Sequence, residues 1–124
     1  IDATFLVGNY GENGVFNEEA LEGFIKLLGD EEDKVRQNSV YGILIYADNK
    51  VVDEKALLPL IKALRDSYPS VRLMAAQALT EYARMGVKDD RAKMFLRERL
   101  NDTDINIRTA ARDALKIYSG EGAR

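Results

Sequence analysis

From Asn17 onward, apolar and polar positions recur with a period of 36 residues, which divides the chain without gaps into frames 17–52, 53–88 and 89–124. Each frame opens on Asn17, Asp53 or Asp89, side chains whose oxygen can accept from the unpaired amides of a helix's first turn. Ala20, Ala56 and Ala92 follow, then Phe24, Leu60 and Leu96, then Leu28, Leu64 and Leu100, an interval of four that lays one apolar stripe along one helix face. The pattern predicts a first helix of roughly ten to twelve residues in every frame. A short polar turn opens at Asp30, Asp66 and Asp102. After it Val35, Val71 and Ile107, Ser39, Ala75 and Ala111, Gly42, Ala78 and Ala114, Ile43, Leu79 and Leu115, and Tyr46, Tyr82 and Tyr118 fall at helical spacing, so a second helix extends to about the tyrosines. Small side chains at two of these columns permit close approach of a neighbouring helix. Such a hairpin cannot bury its apolar faces alone and must stack on its neighbours, which is the logic of an α-solenoid.

The ends depart from the middle. Ala3, Val7 and Tyr10 fall in the columns of Ser39, Ile43 and Tyr46, so residues 1–16 read as half a repeat, a second helix without its first, ended near Tyr10 by Gly8, Gly11 and Gly14. Opening on Ile in mid-unit, the chain is expected to come from something longer. At the far end Arg97 replaces Ile25 and Ile61, Arg99 replaces Leu27 and Ala63, and Arg112 replaces Val40 and Ala76. A terminal repeat needs a polar outer face, so 89–124 reads as a C-terminal cap, with a frayed tail from Ser119 to Arg124. The whole of 1–124 is expected to be one domain.

One motif recurs in every frame: an Asp, five residues later a β-branched aliphatic, and one further on an Arg, at Asp30–Arg36, Asp66–Arg72 and Asp102–Arg108. Together with Leu57-Leu58-Pro59-Leu60-Ile61-Lys62-Ala63-Leu64, this resembles the HEAT-repeat family. The resemblance implies an all-α, right-handed α-solenoid of stacked antiparallel helix pairs. It also implies a structural ladder of Asp30, Asp66 and Asp102 with Arg36, Arg72 and Arg108, tying neighbouring units together. Pro59 has no counterpart at Gly23 or Phe95, so the family's bend in the first helix is expected only in the middle unit. The 36-residue spacing lies between longer HEAT repeats and the shorter ones of phycobilin-lyase-like members, which carries an alternative expectation: an accessory or chaperone-like part of such a lyase.

The chain has no Cys and no His, which removes disulfides, thiolates, the commonest general base and nearly all zinc chemistry. An enzyme is therefore not expected, nor a cofactor. Residues 1–52 carry 4 basic and 10 acidic side chains, 53–88 carry 6 and 4, and 89–124 carry 8 and 7, so the net charge of −3 conceals an acidic first third. An isoelectric point near 5.1 argues against a phosphate backbone as partner. The basic set Arg91, Lys93, Arg97 and Arg99 is interleaved with Asp90, Glu98 and Asp102. Asp30-Glu31-Glu32-Asp33 lacks the alternating ligands and Gly of a calcium loop and reads as a solvated turn meeting a helix N-terminus. The tyrosine column is expected to stack between units with its hydroxyls at the edge. No apolar run reaches the length of a membrane span, no secretory signal is present, and a cytoplasmic location is expected.

In HEAT-like arrays the second helices line the concave side. That places Gln37, Tyr41, Leu44 and Asp48, then Leu73, Gln77, Thr80 and Arg84, then Thr109, Asp113 and Lys116 toward the groove. Tyr41, Leu44 and Leu73 are apolar where a solvated face would be polar. Exposed, they point to a partner; a rotated helix would bury them. The expected function is a non-catalytic scaffold that binds another protein or peptide through Gln37, Tyr41, Leu44, Leu73, Gln77, Thr80 and Arg84, with neither a small molecule nor a membrane as partner.

Overall fold

The computed structural model describes residues 16–120, so the half repeat expected over 1–16 falls, but for Phe16, outside the described residues, as does the tail beyond Gly120. Among the described residues six α-helices follow one another: α1 (Glu18–Leu27), α2 (Asp33–Asp48), α3 (Leu57–Ala63), α4 (Pro69–Arg84), α5 (Arg91–Arg99) and α6 (Ile105–Tyr118). No strand occurs among the described residues.

The first helices begin where the polar side chains can close the first turn. Asn17 Oδ1 accepts from the amides of Glu19 and Ala20 at 2.7 and 3.1 Å. Asp53 and Asp89 each accept through Oδ1 from the amide two residues on, at 2.9 Å. Asp53 leads into a 3-10 turn, Glu54–Ala56, before α3. Asp89 stands one residue ahead of the helix cap, Asp90. Pro59 sits in the first turn of α3, where a missing amide costs nothing, and the middle unit alone among the described residues enters its first helix through a 3-10 turn. The turn to the second helix is built three times over. Asp30, Asp66 and Asp102 donate their amides to Leu27, Ala63 and Arg99, while their Oδ1 atoms accept from Glu32, Tyr68 and Asp104.

Within each hairpin α1 packs on α2, α3 on α4 and α5 on α6. Along the array α2 packs on α4 and α4 on α6, whereas the backbones of the first helices approach one another less closely. The second helices thus form a closely packed row, the inner row of the array. The core of each unit is fitted by volume. Phe24 lies against Gly42, where a Cβ would come within 2.7 Å of the ring, while Leu60 shares its unit with Ala78 and Leu96 with Ala114. Gly42 is required by that ring.

The tyrosines correct the expectation of hydroxyls at the edge. Tyr46 accepts from the Asn17 amide and Tyr82 from the Asp53 amide, both at 3.2 Å, and both rings are fully buried. A capping residue's own amide has no helical partner, so the phenol pins the end of the second helix to the start of the first within one unit. Phe16 and Phe24 meet Tyr46 edge-on, at centroid distances of 4.8 and 5.8 Å. Tyr118 is buried in the same column, but its hydroxyl has no hydrogen-bond partner among the described residues. Burial pushes the Tyr118 phenol up, and the Asp89 backbone lies near enough to oppose that in part.

The second helices also end alike. Lys50 and Gly86 occupy one column with φ of 67° and 82°, and Val51 and Val87 return their amides to Tyr46 and Tyr82 at 2.9 and 3.0 Å, a left-handed C-terminal cap. In the last unit Gly120, φ 92°, stands two residues earlier, so α6 has 14 residues against 16 in α2 and α4. Among the described residues no helix is long and apolar enough to cross a membrane.

Candidate functional site

The inner face combines exposed polar side chains with apolar ones drawn partly into the core. On α2, Tyr41 is 44% exposed and Gln37 is half-buried, while Leu44 packs against the core. On α4, Leu73 does the same, Gln77 and Arg84 are exposed, and Thr80 is only 6% exposed with its hydroxyl donating to the Ala76 carbonyl at 2.9 Å. Leu44, Leu73 and Thr80 are thus less available than the sequence reading expected. The tight packing of α2, α4 and α6 tucks this edge of each helix against its neighbour.

A groove of about 390 Å³ runs between α4 and α6. Leu73, Gln77, Thr80 and Arg84 line it from α4, and Thr109 and Asp113 from α6, joined by Glu81, Asn106 and Ala110, which the sequence reading passed over. Asn106 and Ala110 lie three residues before Thr109 and Asp113, which is the signal that could have found them. Gln37, Tyr41 and Leu44 stand on α2 and do not line this groove; Lys116 belongs to a different depression at the end of the array. The lining offers an apolar floor in Leu73 and Ala110. Above it stand the amides of Gln77 and Asn106, each both donor and acceptor, and the Glu81–Arg84 ion pair. These groups suit the alternating donors and acceptors of an extended polypeptide.

The Asp and Arg columns lie between units. Arg36 donates through Nε and Nη2 to the Asp66 carboxylate at 2.7 and 3.2 Å, and through Nη1 to the carbonyls of Asp30 and Glu31, each at 2.9 Å. Arg72 repeats this with Asp102, at 3.0 and 3.4 Å, and with the Asp66 carbonyl at 2.8 Å. Each guanidinium thus holds its own turn and grips the next. The Asp102 side chain is 2% exposed. Burial alone would raise its pKa, but the Asp104 amide, Arg72 and Arg99 together hold it below the ordinary carboxylate value. Lys55 with Glu22 and Arg65 with Glu98 bridge neighbouring first helices, and Arg65 lies 4.1 Å over the Phe95 ring.

The basic residues near α5 are largely neutralised: Arg91 pairs with Asp89, Lys93 with Asp90 and Arg99 with Asp102. Hydrogen bonds from Arg91 lower the Asp89 pKa to about 2. Asp30 is engaged in its turn and Asp33 opens α2, where a carboxylate complements the helix N-terminus.

Stacked helical hairpins with a groove on the inner row define a helical-repeat solenoid. The family model for HEAT repeats matches residues 21–116, and the chain belongs to that family. Among solved structures it is similar to a designed armadillo repeat protein in complex with the peptide (KR)4, with a TM-score of 0.69 and 22% identity over 93% of this chain. It is also similar to an engineered protein, with a TM-score of 0.64 and 19% identity over 97% of this chain. The chain spans about half the length of each, 51% and 53%. No curated protein matches the sequence.

Proposed function

We propose that the chain is a non-catalytic scaffold that holds an extended segment of another protein in the groove between α4 and α6. The observation that carries this is the lining itself: an apolar floor, two amide side chains and a mixed-charge rim, on the inner side of a HEAT-repeat array. Gln77 and Asn106 would hydrogen-bond the bound backbone, Leu73 and Ala110 would receive an apolar side chain, and Arg84 and Asp113 would choose among charged ones. The peptide complex of a similar designed repeat protein supports the mode of binding. Tyr41, one and a half units along the same face, would extend the contact toward α2. The absence of His and Cys supports a scaffold over an enzyme.

Peptides selected from a random displayed library and measured by fluorescence anisotropy test this. Gln77→Arg and Thr109→Glu, both at exposed positions, should weaken the selected peptides by roughly tenfold or more without changing the melting temperature. Leu73 is avoided because it also packs on the core. Peptides that bind both variants as tightly as the parent would place recognition elsewhere.

A further inference from the structure

The two junctions between first helices stand on the same columns but are built differently. Between α3 and α5, Arg65 reaches across, lies 4.1 Å over the Phe95 ring and donates to the Glu98 carboxylate at 2.9 and 2.7 Å. One repeat earlier, between α1 and α3, the equivalent residues are Gly29, Pro59 and Lys62. The long side chain is gone, the aromatic ring gives way to proline, and the charge of the receiving residue is reversed. A cleft of about 450 Å³ results, lined by Ile25, Pro59, Ala63 and the Arg36–Asp66 rung. A side chain built at Gly29 would meet nothing within 4 Å.

Lys26 and Lys62 line this cleft from the last turns of α1 and α3. Both are exposed, and neither makes an ion pair among the described residues. The carboxylates four residues from them are already held. Glu22 is bound by Lys55 at 2.8 Å, Asp66 by Arg36 at 2.7 Å, and Asp30 accepts from the Glu32 amide at 2.9 Å. The Arg36 guanidinium is itself taken up by Asp66 and by two carbonyls. The two lysines are therefore the uncommitted cations of the cleft.

We propose that this cleft docks a partner protein through a glutamate side chain, whose aliphatic stem lies on Ile25 and Pro59 and whose carboxylate is shared between Lys26 and Lys62. The second junction carries the argument. There a long charged side chain crosses the same gap, over an apolar surface, onto a residue of opposite charge. With Lys62 standing where the later unit has Glu98, the complementary charge is negative. The apolar lining suits the stem of a side chain rather than a bare anion. This surface lies on the outer row, apart from the α4–α6 groove.

Peptide selection tests it separately from that groove. A random displayed library is selected on the full chain carrying Gln77→Arg and Thr109→Glu, which block the groove. It is counter-selected on the same chain with Gly29→Arg and Lys62→Glu added, which rebuild the second junction's bridge across the cleft. Surviving peptides should carry a Glu beside an apolar residue. Their affinity, read by fluorescence anisotropy, should fall roughly tenfold when that Glu becomes Gln, and as far when Lys26→Gln and Lys62→Gln are combined in the chain. It should also weaken with salt. Lys116→Gln, the same change in the depression on the terminal face with Leu100 and Arg112, should leave it unchanged. Circular dichroism confirms that every variant folds. No surviving peptide, survivors without an acidic residue, or affinity lost with Lys116 in place of the lysine pair would overturn the proposal. So would a lysine pair that binds only phosphatidylserine vesicles or inorganic phosphate, which would assign the cleft to another occupant.

Discussion

The hairpins α3–α4 and α5–α6 are built on the same columns, yet among the described residues one has a neighbouring hairpin on both sides and the other on one. In the middle unit Arg72 grips Asp102 and the Tyr82 hydroxyl accepts from the Asp53 amide. In the last unit, among the described residues, Arg108 has only its own turn's carbonyl and the Tyr118 hydroxyl has no hydrogen-bond partner. The leucine that is wholly buried as Leu64 is partly exposed as Leu100. For the arginine and the leucine the contribution thus depends on whether a next unit supplies the other half, whereas the tyrosine contact lies within one unit. That is how an array stabilises itself through nearest-neighbour terms.

The rung gives the largest contrast. Arg72→Ala leaves the buried Asp102 with only Arg99 and a backbone amide, and should cost about 3 kcal/mol in urea unfolding. Arg108→Ala, measured alike on dilute protein, should cost less than about 1 kcal/mol. Equal losses at the two positions would erase the distinction between completed and open rungs.

Volume fitting separates the first unit from the other two. Gly42→Ala should destabilise by about 2 kcal/mol because the added methyl meets the Phe24 ring. Adding Phe24→Leu recreates the Leu–Ala pair of the later units and should recover most of the loss, as measured by thermal denaturation. The tyrosines come next. Tyr82→Phe strands the Asp53 amide and should cost about 1 kcal/mol, whereas Tyr118→Phe removes an unpaired buried hydroxyl and should be neutral or stabilising. The smallest effect belongs to the helix ends: Lys50→Gly gives the first unit the residue the second has as Gly86, and should stabilise by about 0.5 kcal/mol.

Acid sharpens the same contrast. Asp102 has a depressed folded-state pKa, so its contribution is present above the unfolded value of about 4 and is lost as pH falls through the lower folded value. Stability should decline over that acid range, and less steeply in Arg72→Ala than in the parent, as read from melting temperatures between pH 5 and pH 2.

The hairpins were legible in the sequence because burial of the stripes through Leu60 and Leu64, and through Val71, Ala75, Ala78 and Leu79, imposes a helical period whatever lies alongside. The pairing of Arg36 with Asp66 carries a constant spacing of 30, and the family resemblance pointed to it. Other features depend on how one helix is turned against another. A rotation by a fraction of a turn decides whether Leu44 and Leu73 face solvent or the core, and only the closeness of α2, α4 and α6 sets it. The tyrosine contacts also have a constant spacing, 29 residues from Asn17 to Tyr46 and from Asp53 to Tyr82, but they join opposite ends of two helices. Periodicity along one helix carries no information about that closure. The groove was legible in four residues of α4, Leu73, Gln77, Thr80 and Arg84, with Thr109 and Asp113 opposite; its composition, and not the spacing alone, makes it a candidate for recognition.

The most direct measurement is amide chemical-shift mapping of the isotope-labelled chain during titration with a selected peptide. The account predicts shifts concentrated at Leu73, Gln77, Arg84, Asn106, Thr109 and Asp113, with α1, α3 and α5 unmoved. Shifts confined to those outer helices, or to the terminal face around Leu100 and Arg112, would contradict a recognition groove on the inner row.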